Sequence, residues 1–322
     1  MQATARANSN IAFIKYWGNR DETLRLPVNP SLSMNLDGVF TRTTVVWVAG
    51  LAADNLVLNG SPAGAEALQR VSAHLDVIRR RLSLTQFAQV TSTNNFPMGA
   101  GIASSASSFA ALTVAAVRAA GHDLSERELS TLARLGSGSA SRSVPAGFVE
   151  WHAADTHEGS YAESIAPADY WDLVDVIAIV SDAHKDVGSK AGHRTANSSD
   201  LQGARVAGAA ERLRICRKAI LNRDFAPFAA VVEHDSNLMH AVMMTSQPPL
   251  FYWRPATLTV MEQVRRWRAE GLRVCYTLDA GPNVHVLTLA ADVDAAAERL
   301  RNIEGVIDVR IAAAGGGTII ES

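Results

Sequence analysis

The sequence predicts an α+β protein of two lobes, and three observations carry that prediction. A strand-like run at 87–93 leads into a loop of small residues at 94–107 and then into an Ala-rich helix, an order suited to holding a ligand at a helix start. The last quarter of the chain reads strand, strand, helix, strand after a helix, which fits an α+β sandwich containing an antiparallel pair. At 322 residues the chain is also long enough to bury two cores rather than one. The boundary is expected near residue 170, giving lobes 1–170 and 171–322.

The elements follow in order. Residues 11–49 read as short strands and turns, and Leu56-Val57-Leu58-Asn59-Gly60 as a strand closing in a turn. Residues 66–81 set Leu68, Val71, Leu75 and Ile78 on one helical face. The Ala-rich helix, with Phe109, Leu112 and Val117 as its larger apolar members, stops at Gly121. Ser125-Glu126-Arg127-Glu128 is a capping box, and Leu129, Leu132 and Leu135 continue from it as a stripe up to Gly136. A strand returns at 147–153. The second half opens with a buried strand at 174–180 and a polar, glycine-containing loop at 181–200, followed by a long helix to about residue 222. Pro255 starts a helix that ends near Gly271. After it come a strand at 273–278, the turn Asp279-Ala280-Gly281-Pro282-Asn283, a strand at 284–289, a helix at 293–302 and a strand at 306–312.

Bulk composition narrows the function. Apolar residues make up 48% and charged ones 19%, with a formal net charge of −2, so no basic excess is available to hold nucleic acid. No apolar run approaches the ~20 residues a membrane helix needs. The first ten residues lack a signal-peptide core, so a cytoplasmic protein is expected. Cys216 and Cys275 have no CxxC spacing and fall in helix-like and strand-like runs, which predicts buried reduced thiols rather than a zinc site.

Chemistry concentrates in four segments. In the small-residue loop, Gly99 and Gly101 let the main chain approach a ligand, and Ser104 and Ser105 bring hydroxyls to a helix start that already presents free N–H groups. The loop suits a polyphosphate but is not the P-loop, because no lysine follows its last glycine. Its composition fits equally a helix start kept small for close packing. The other segments are 10–21 (NIAFIKYWGNRD), 136–143 (GSGSASRS) and 279–283 (DAGPN).

Together these segments resemble the mevalonate diphosphate decarboxylase family, in the superfamily of small-molecule kinases that includes galactokinase, homoserine kinase and mevalonate kinase. The family's NIAxIKYWGKRD stands at 10–21 with one change, and its NNFPTAAGLASSA at 94–106 with Met98 and Gly99 departing. GSGSACRS stands at 136–143 with Ser141 for Cys, and YTFDAGPN at 276–283 with Leu278 for Phe. Weaker echoes are Asp235-Ser236-Asn237 with His240, and Ser181-Asp182 with Lys185. The resemblance implies a two-lobed kinase-superfamily fold, with a mixed α/β N-terminal lobe containing a ribosomal-S5-like part and a ferredoxin-like C-terminal α/β sandwich. It further implies ATP and Mg²⁺ as cofactors, a phosphorylated mevalonate as the small-molecule partner, and a homodimer. Phosphorylation of the tertiary C3 hydroxyl, followed by loss of phosphate and CO2, would leave an isopentenyl product.

The same resemblance assigns roles by position. Asp279 would act on the C3 hydroxyl and stabilise positive charge at C3. From local sequence alone, an Asp that caps its own turn is the commoner fate of this motif. Arg142 would hold the C1 carboxylate through a planar fork, although local sequence alone favours a solvated helix arginine. Ser137, Gly138 and Ser139 would receive the C5 phosphate. Lys15, in an apolar strand, needs an anionic partner, with Asp279 a candidate. Asn10 and Tyr16 would be weaker substrate contacts, with a purely structural role open for either. Arg70 aligns with a phosphate-binding arginine only across a small gap, and Ser189 lies in the loop that the family folds over the substrate. Ser104, Ser105, Gly99 and Gly101 would hold ATP, with Asn94 and Lys185 secondary and Ser105 reaching Mg²⁺.

One departure bears on the substrate. Where the family has a lysine contacting the terminal phosphate of a diphosphate, this chain has Asn19. Losing such a contact weakens binding by roughly 1.5–3 kcal/mol. The expected substrate is therefore 5-phosphomevalonate, giving isopentenyl phosphate, with 5-diphosphomevalonate as the alternative and Arg20 or Lys190 as compensating cations. A kinase that stops after phosphorylation, and a fold relative without catalysis, are the competing readings.

Overall fold

The computed structural model describes residues 1–96, 104–181 and 188–321, the side chain of Lys190 excepted. Its N-terminal part opens with β1 (Gln2–Ile14), the small hairpin β2 (Asn19–Asp21) and β3 (Leu26–Pro27), and β4 (Ser31–Val48). Two long strands thus replace the short ones expected. In β4 the alternation of Thr41, Thr43, Val45 and Trp47 on the buried side accounts for the length, because one continuous face is covered. Then follow β5 (Asn55–Leu58), β6 (Ser61–Pro62), α1 (Ala65–Leu82), β7 (Phe87–Asn94), α2 (Ser104–Ala119), α3 (Glu126–Gly136), a 3-10 turn (Gly138–Ser143), β8 (Phe148–Trp151) and β9 (Ala162–Ala166).

The sheet runs β14-β1-β4-β7-β5-β6, where β14 (Ile319–Glu321) is the chain's last strand, and β8 joins β4 further along the same strand with β9 beyond it. Pairings are antiparallel except β5 with β7. Apolar side chains of α1 and α2 and of α3 close over one face with Val45, Trp47 and Val90. The capping box of α3 forms as expected: the Ser125 hydroxyl accepts from the Glu128 N–H, and the Glu128 carboxylate accepts from the Ser125 N–H at 3.1 Å. A wide bulge separates Asn8↔Phe40 from Asn10↔Asn35 in the β1–β4 ladder. It frees the far half of β1 to leave the helical layer and run under the second part of the molecule.

That second part comprises β10 (Leu173–Ile179), α4 (Ser189–Thr195), α5 (Gln202–Ala207), α6 (Ala209–Asn222), α7 (Phe225–Thr245), α8 (Pro255–Ala269), β11 (Val274–Thr277), β12 (Val284–Leu289), α9 (Val293–Arg301) and β13 (Asp308–Ala313). The sheet order is β11-β12-β10-β13, all antiparallel. Residues of α8 and α9 pack on one face around Trp267 and Val286. The other face meets α6, α7 and β1 in a core that includes Phe13, Phe228, Cys216 and Cys275.

Three details differ from the sequence reading. The loop expected at 181–200 contains α4. The helix expected to run to 222 is broken at Gly208, where a Cβ would lie 2.6 Å from an Arg212 Nη, because that guanidinium crosses the break to donate to the Arg205 carbonyl at 2.6 Å. Helix α7 was not anticipated. The boundary near residue 170 falls between β9 and β10, and we propose it as the division between lobes, with β14 returning to pair β1. Among the described residues no helix is long and apolar enough to cross a membrane.

Candidate active site

The end of β1 carries Lys15 into the interior. Its N–H donates to Asp235 of α7 at 2.6 Å, its carbonyl accepts from Asn29, and Arg212 holds the other oxygen of Asp235 at 2.6 Å. The main chain is thus fixed on both sides, and the side chain, 1% exposed, has one direction to take. Lys15 Nζ stands 2.7 Å from Asp279 Oδ1. Asp279 follows β11 in a tight turn closed by its own carbonyl and the Gly281 N–H at 2.7 Å. Ser236 of α7 receives the Leu278 N–H, and the Asn283 side chain accepts from the N–H groups of Val180 and Ser181. The carboxylate is therefore aimed by helix α7 and two strands, not by a free turn. Burial would raise its pKa, but Lys15, His285 and Arg142 together pull it below the ordinary 3.8. For Lys15 burial is the largest influence and lowers its pKa, against the opposing pull of Asp279.

Arg142 enters the same cavity from the 3-10 turn. It is 3% exposed, donating to Ser31 Oγ at 2.7 Å and Asn10 Oδ1 at 3.2 Å, with the Trp151 ring 5.8 Å away. Asn10 is itself held by Ser143 Oγ and the Ser139 carbonyl. Among the described residues, the hydrogen-bond partners of the Arg142 guanidinium are neutral oxygens and its Nε has no partner. Burial lowers its pKa to about 10, with Asp279 and Tyr16 opposing, so it stays charged at neutral pH. A buried guanidinium without a contacting carboxylate is a site for an anionic ligand.

Tyr16 donates to Asn19, whose amide in turn donates to Glu22 at 3.0 Å. The Tyr16 ring stacks on His193 at 4.2 Å and meets Trp151 edge-on at 4.7 Å. Gly138 lets the 3-10 turn lie against this ring: a Cβ there would sit 2.5 Å from it. His193 Nδ1 accepts the Gly18 N–H at 3.0 Å, and burial lowers its pKa to about 3, so the ring is neutral with its proton on Nε2.

Two adjoining cavities collect these groups. One, of about 90 Å³, is lined by Asn10, Lys15, Tyr16, Ser105, Ser139, Arg142, Ser189, His193 and Asp279, among others. The other, of about 40 Å³, shares Tyr16, Ser105, Ser139, Ser189 and His193 and adds Asn19, Glu22, Arg25, Arg70, Ser137 and Gly138. Residues widely separated in sequence thus meet: Asp279, Arg142, Lys15 and Ser189 in one space, Asn19, Arg70 and the 137–139 turn in the next. Ser105 Oγ stands 3.1 Å from Ser137 Oγ and ties the start of α2 to this turn. The Ser104 carbonyl accepts from the Ser108 hydroxyl at 2.7 Å inside α2. Asn94 lines neither cavity and accepts instead from Thr41 Oγ1 at 2.5 Å. Gly99, Gly101 and Lys185 lie outside the described residues, as does the side chain of Lys190.

Sequence reasoning missed three contributors: Arg25 and Glu22 on the β2–β3 hairpin and His193 on α4. Asp235 stood in the sequence only as part of a weaker echo of the family pattern, without its role as the anchor of Lys15.

Comparison with known proteins agrees along the length of the chain. Residues 7–162 match the diphosphomevalonate decarboxylase-like N-terminal domain, and residues 175–310 the mevalonate 5-diphosphate decarboxylase C-terminal domain. Diphosphomevalonate decarboxylase mvd1 of Aspergillus fumigatus is 40% identical, covering 94% of this chain and 81% of the relative, and the Homo sapiens diphosphomevalonate decarboxylase is 37% identical, covering 89% and 76%. The crystal structure of mevalonate diphosphate decarboxylase from Staphylococcus aureus superposes with a TM-score of 0.96 at 34% identity, covering 100% of this chain and 98% of that one. A structure described as MDDEF in complex with MVAPP, AMPPCP and magnesium gives 0.93 at 37% identity, with coverages of 100% and 99%. With the motifs, the two-part α/β fold and both domain matches in agreement, the chain belongs to the mevalonate diphosphate decarboxylase family of the small-molecule kinase superfamily.

Proposed function

We propose that the protein decarboxylates 5-diphosphomevalonate at the expense of ATP, giving isopentenyl diphosphate, CO2, ADP and phosphate. The observation that carries the reaction type is the meeting of the Lys15–Asp279 pair and the unpaired Arg142 in one cavity. Asp279 is ionised and lies within hydrogen-bond reach of Lys15, so it is equipped to orient or accept the proton of the C3 hydroxyl. ATP supplies the phosphoryl group that makes the C3 oxygen a leaving group, with Mg²⁺ neutralising its charge. When the C3–O bond breaks with its electron pair on phosphate, the C1–C2 electrons form the C2=C3 double bond and CO2 departs. Asp279 opposes the positive charge developing at C3. Arg142 orients the C1 carboxylate for that departure, and the turn at 137–139 anchors the C5 phosphate.

The residues present fit ATP and Mg²⁺. Helix α2, sixteen residues long, begins at Ser104 beside the substrate cavities, and Ser105 lines both. No cluster of three His, Cys, Asp or Glu suited to a metal occurs among the described residues. Mg²⁺ binds through phosphate oxygens and few protein ligands, and the Ser105 hydroxyl would be one of them.

The diphosphate is favoured by the relatives at 37–40% identity, which are named for it, and by MVAPP in the MDDEF complex. A second reading, the 5-monophosphate expected from the sequence, keeps one observation in its favour. Residue 19 is an uncharged amide already engaged by Tyr16 and Glu22. Purified protein with Mg-ATP, offered mevalonate, its 5-phosphate and its 5-diphosphate while ADP and CO2 are followed, separates them. Faster turnover of the diphosphate supports the leading reading, and preference for the monophosphate replaces it. ADP without CO2 would leave a kinase.

A further inference from the structure

Arg25 occupies the turn between β2 and β3 with φ of +50°, a left-handed conformation that arginine seldom adopts. Its Nε–H donates to the Leu135 carbonyl at the end of α3 at 2.9 Å, which sets the plane of the half-buried guanidinium. Its two Nη groups make no hydrogen bond to a described residue. Arg25 lines the smaller substrate cavity with Tyr16, Asn19, Ser137 and Arg70. A further cavity of about 380 Å³ opens on the same two arginines and is bounded by Glu66, Gln69 and His74. Arg25 and Arg70 therefore stand together where the two spaces meet.

The local charges do not balance from within. Among the described residues neither arginine is in an ion pair. Glu22, the carboxylate sharing the smaller cavity, receives the Asn19 amide and stands 3.9 Å from Arg194. Burial, and after it the competing charge of Arg70, depress the pKa of Arg25, although Tyr16 and Glu22 partly oppose this. Two guanidiniums with free N–H groups facing one small polar cavity call for a multiply charged oxyanion, which planar forks bind in two-pronged fashion.

We infer that Arg25, together with Arg70, grips the outermost phosphate of the substrate. Residue 19 supplies no charge there, and the cation comes instead from the far end of the same hairpin. This rests on the reading of the substrate as a 5-phosphorylated mevalonate and narrows it to one determinant of affinity. The grip acts on ground-state binding, remote from C3, so its loss appears in KM rather than kcat.

The test is steady-state kinetics on Arg25→Asn and on Arg25→Asn combined with Asn19→Lys. Asparagine tolerates the left-handed backbone, so the turn is preserved. In Arg25→Asn, KM for the phosphorylated mevalonate that the wild type turns over is expected to rise roughly tenfold or more, with kcat within about twofold and KM for ATP unchanged. The added lysine is expected to recover most of that loss. An unchanged KM in Arg25→Asn overturns the inference, as does a fall in kcat at constant KM. A rise in KM that the lysine leaves untouched, accompanied by a lower thermal midpoint, assigns Arg25 to folding and also overturns it. Should the wild type turn over no phosphorylated mevalonate, the reaction itself fails. Calorimetric binding of inorganic pyrophosphate then tests the grip alone, with a roughly tenfold weakening in Arg25→Asn expected and equal affinity contradicting it.

Discussion

Replacing Asp279 with asparagine removes one charge from a pair that the fold has gone to some length to assemble. Lys15 is 1% exposed and its Nζ is 2.7 Å from the carboxylate, whose side chain keeps 26% of its surface open to the cavity. At an effective dielectric constant of about 20, the attraction at that distance is roughly 6 kcal/mol. The desolvation of the ammonium offsets several kcal/mol of it, and breaking a fully buried pair costs about 3–5 kcal/mol net. The open side of Asp279 and the oxygen retained by asparagine bring the expected stability loss to roughly 2–3 kcal/mol. Catalysis should suffer more, because the proton acceptor and the charge facing C3 vanish together. A fall in kcat of roughly 10²–10⁴ is expected, with substrate binding largely kept. Thermal melts give the first quantity and ADP release the second. Lys15→Met, Asp279→Leu and their combination form a double-mutant cycle that measures the coupling between the two groups. A kcat within tenfold of wild type, or stability losses that simply add, would refute the reasoning.

Two further outcomes follow from the geometry. Asp279 has its pKa lowered, so its ionised form and the pair's contribution persist above the unfolded value and are lost as pH falls through the folded one. The acid limb of kcat/KM is therefore expected below the ordinary 3.8, and a limb from this group above about pH 5 would contradict the arrangement. Gly138→Ala would place a methyl group 2.5 Å from the Tyr16 ring. A destabilisation of about 1–3 kcal/mol and a raised substrate KM are expected, measured by melting and kinetics, while a neutral substitution would show that the turn does not depend on that contact.

Much of the site was legible in the sequence because it sits in short segments with unusual residue choices. Lysine in an apolar strand requires a partner, whereas the arginine of the glycine–serine run and the aspartate of the Asp-Ala-Gly-Pro turn took their roles from the family resemblance, and the fold brings the three into one cavity. Helix α7 was hidden for a physical reason. It lies between sheet and strand, with Val231 and Val242 on one side and Ala229, Glu233 and His240 on the other buried along with Phe228 and Met239, so its burial spreads well beyond one narrow apolar stripe. Asp235 gains its role only from that burial. Arg25 was equally invisible, since nothing local tells an arginine in a hairpin turn from one in solvent. Its meaning lies in the Leu135 carbonyl, 110 residues away in the chain. The polar run that contains α4 looked like loop because its helix is only seven residues long, and His193 is held inward by the Gly18 N–H and the rings of Tyr16 and Trp17, all distant in sequence.

The central claim is that one cavity joins phosphoryl transfer at C3 to the release of C1. It is tested most directly by single-turnover measurement with 5-diphosphomevalonate labelled at C1, quantifying labelled CO2 against ADP in the presence of Mg-ATP. Equal amounts of both, rising together and collapsing together in Asp279→Asn, are predicted. ADP formed without labelled CO2, or CO2 released without ATP, would contradict the account.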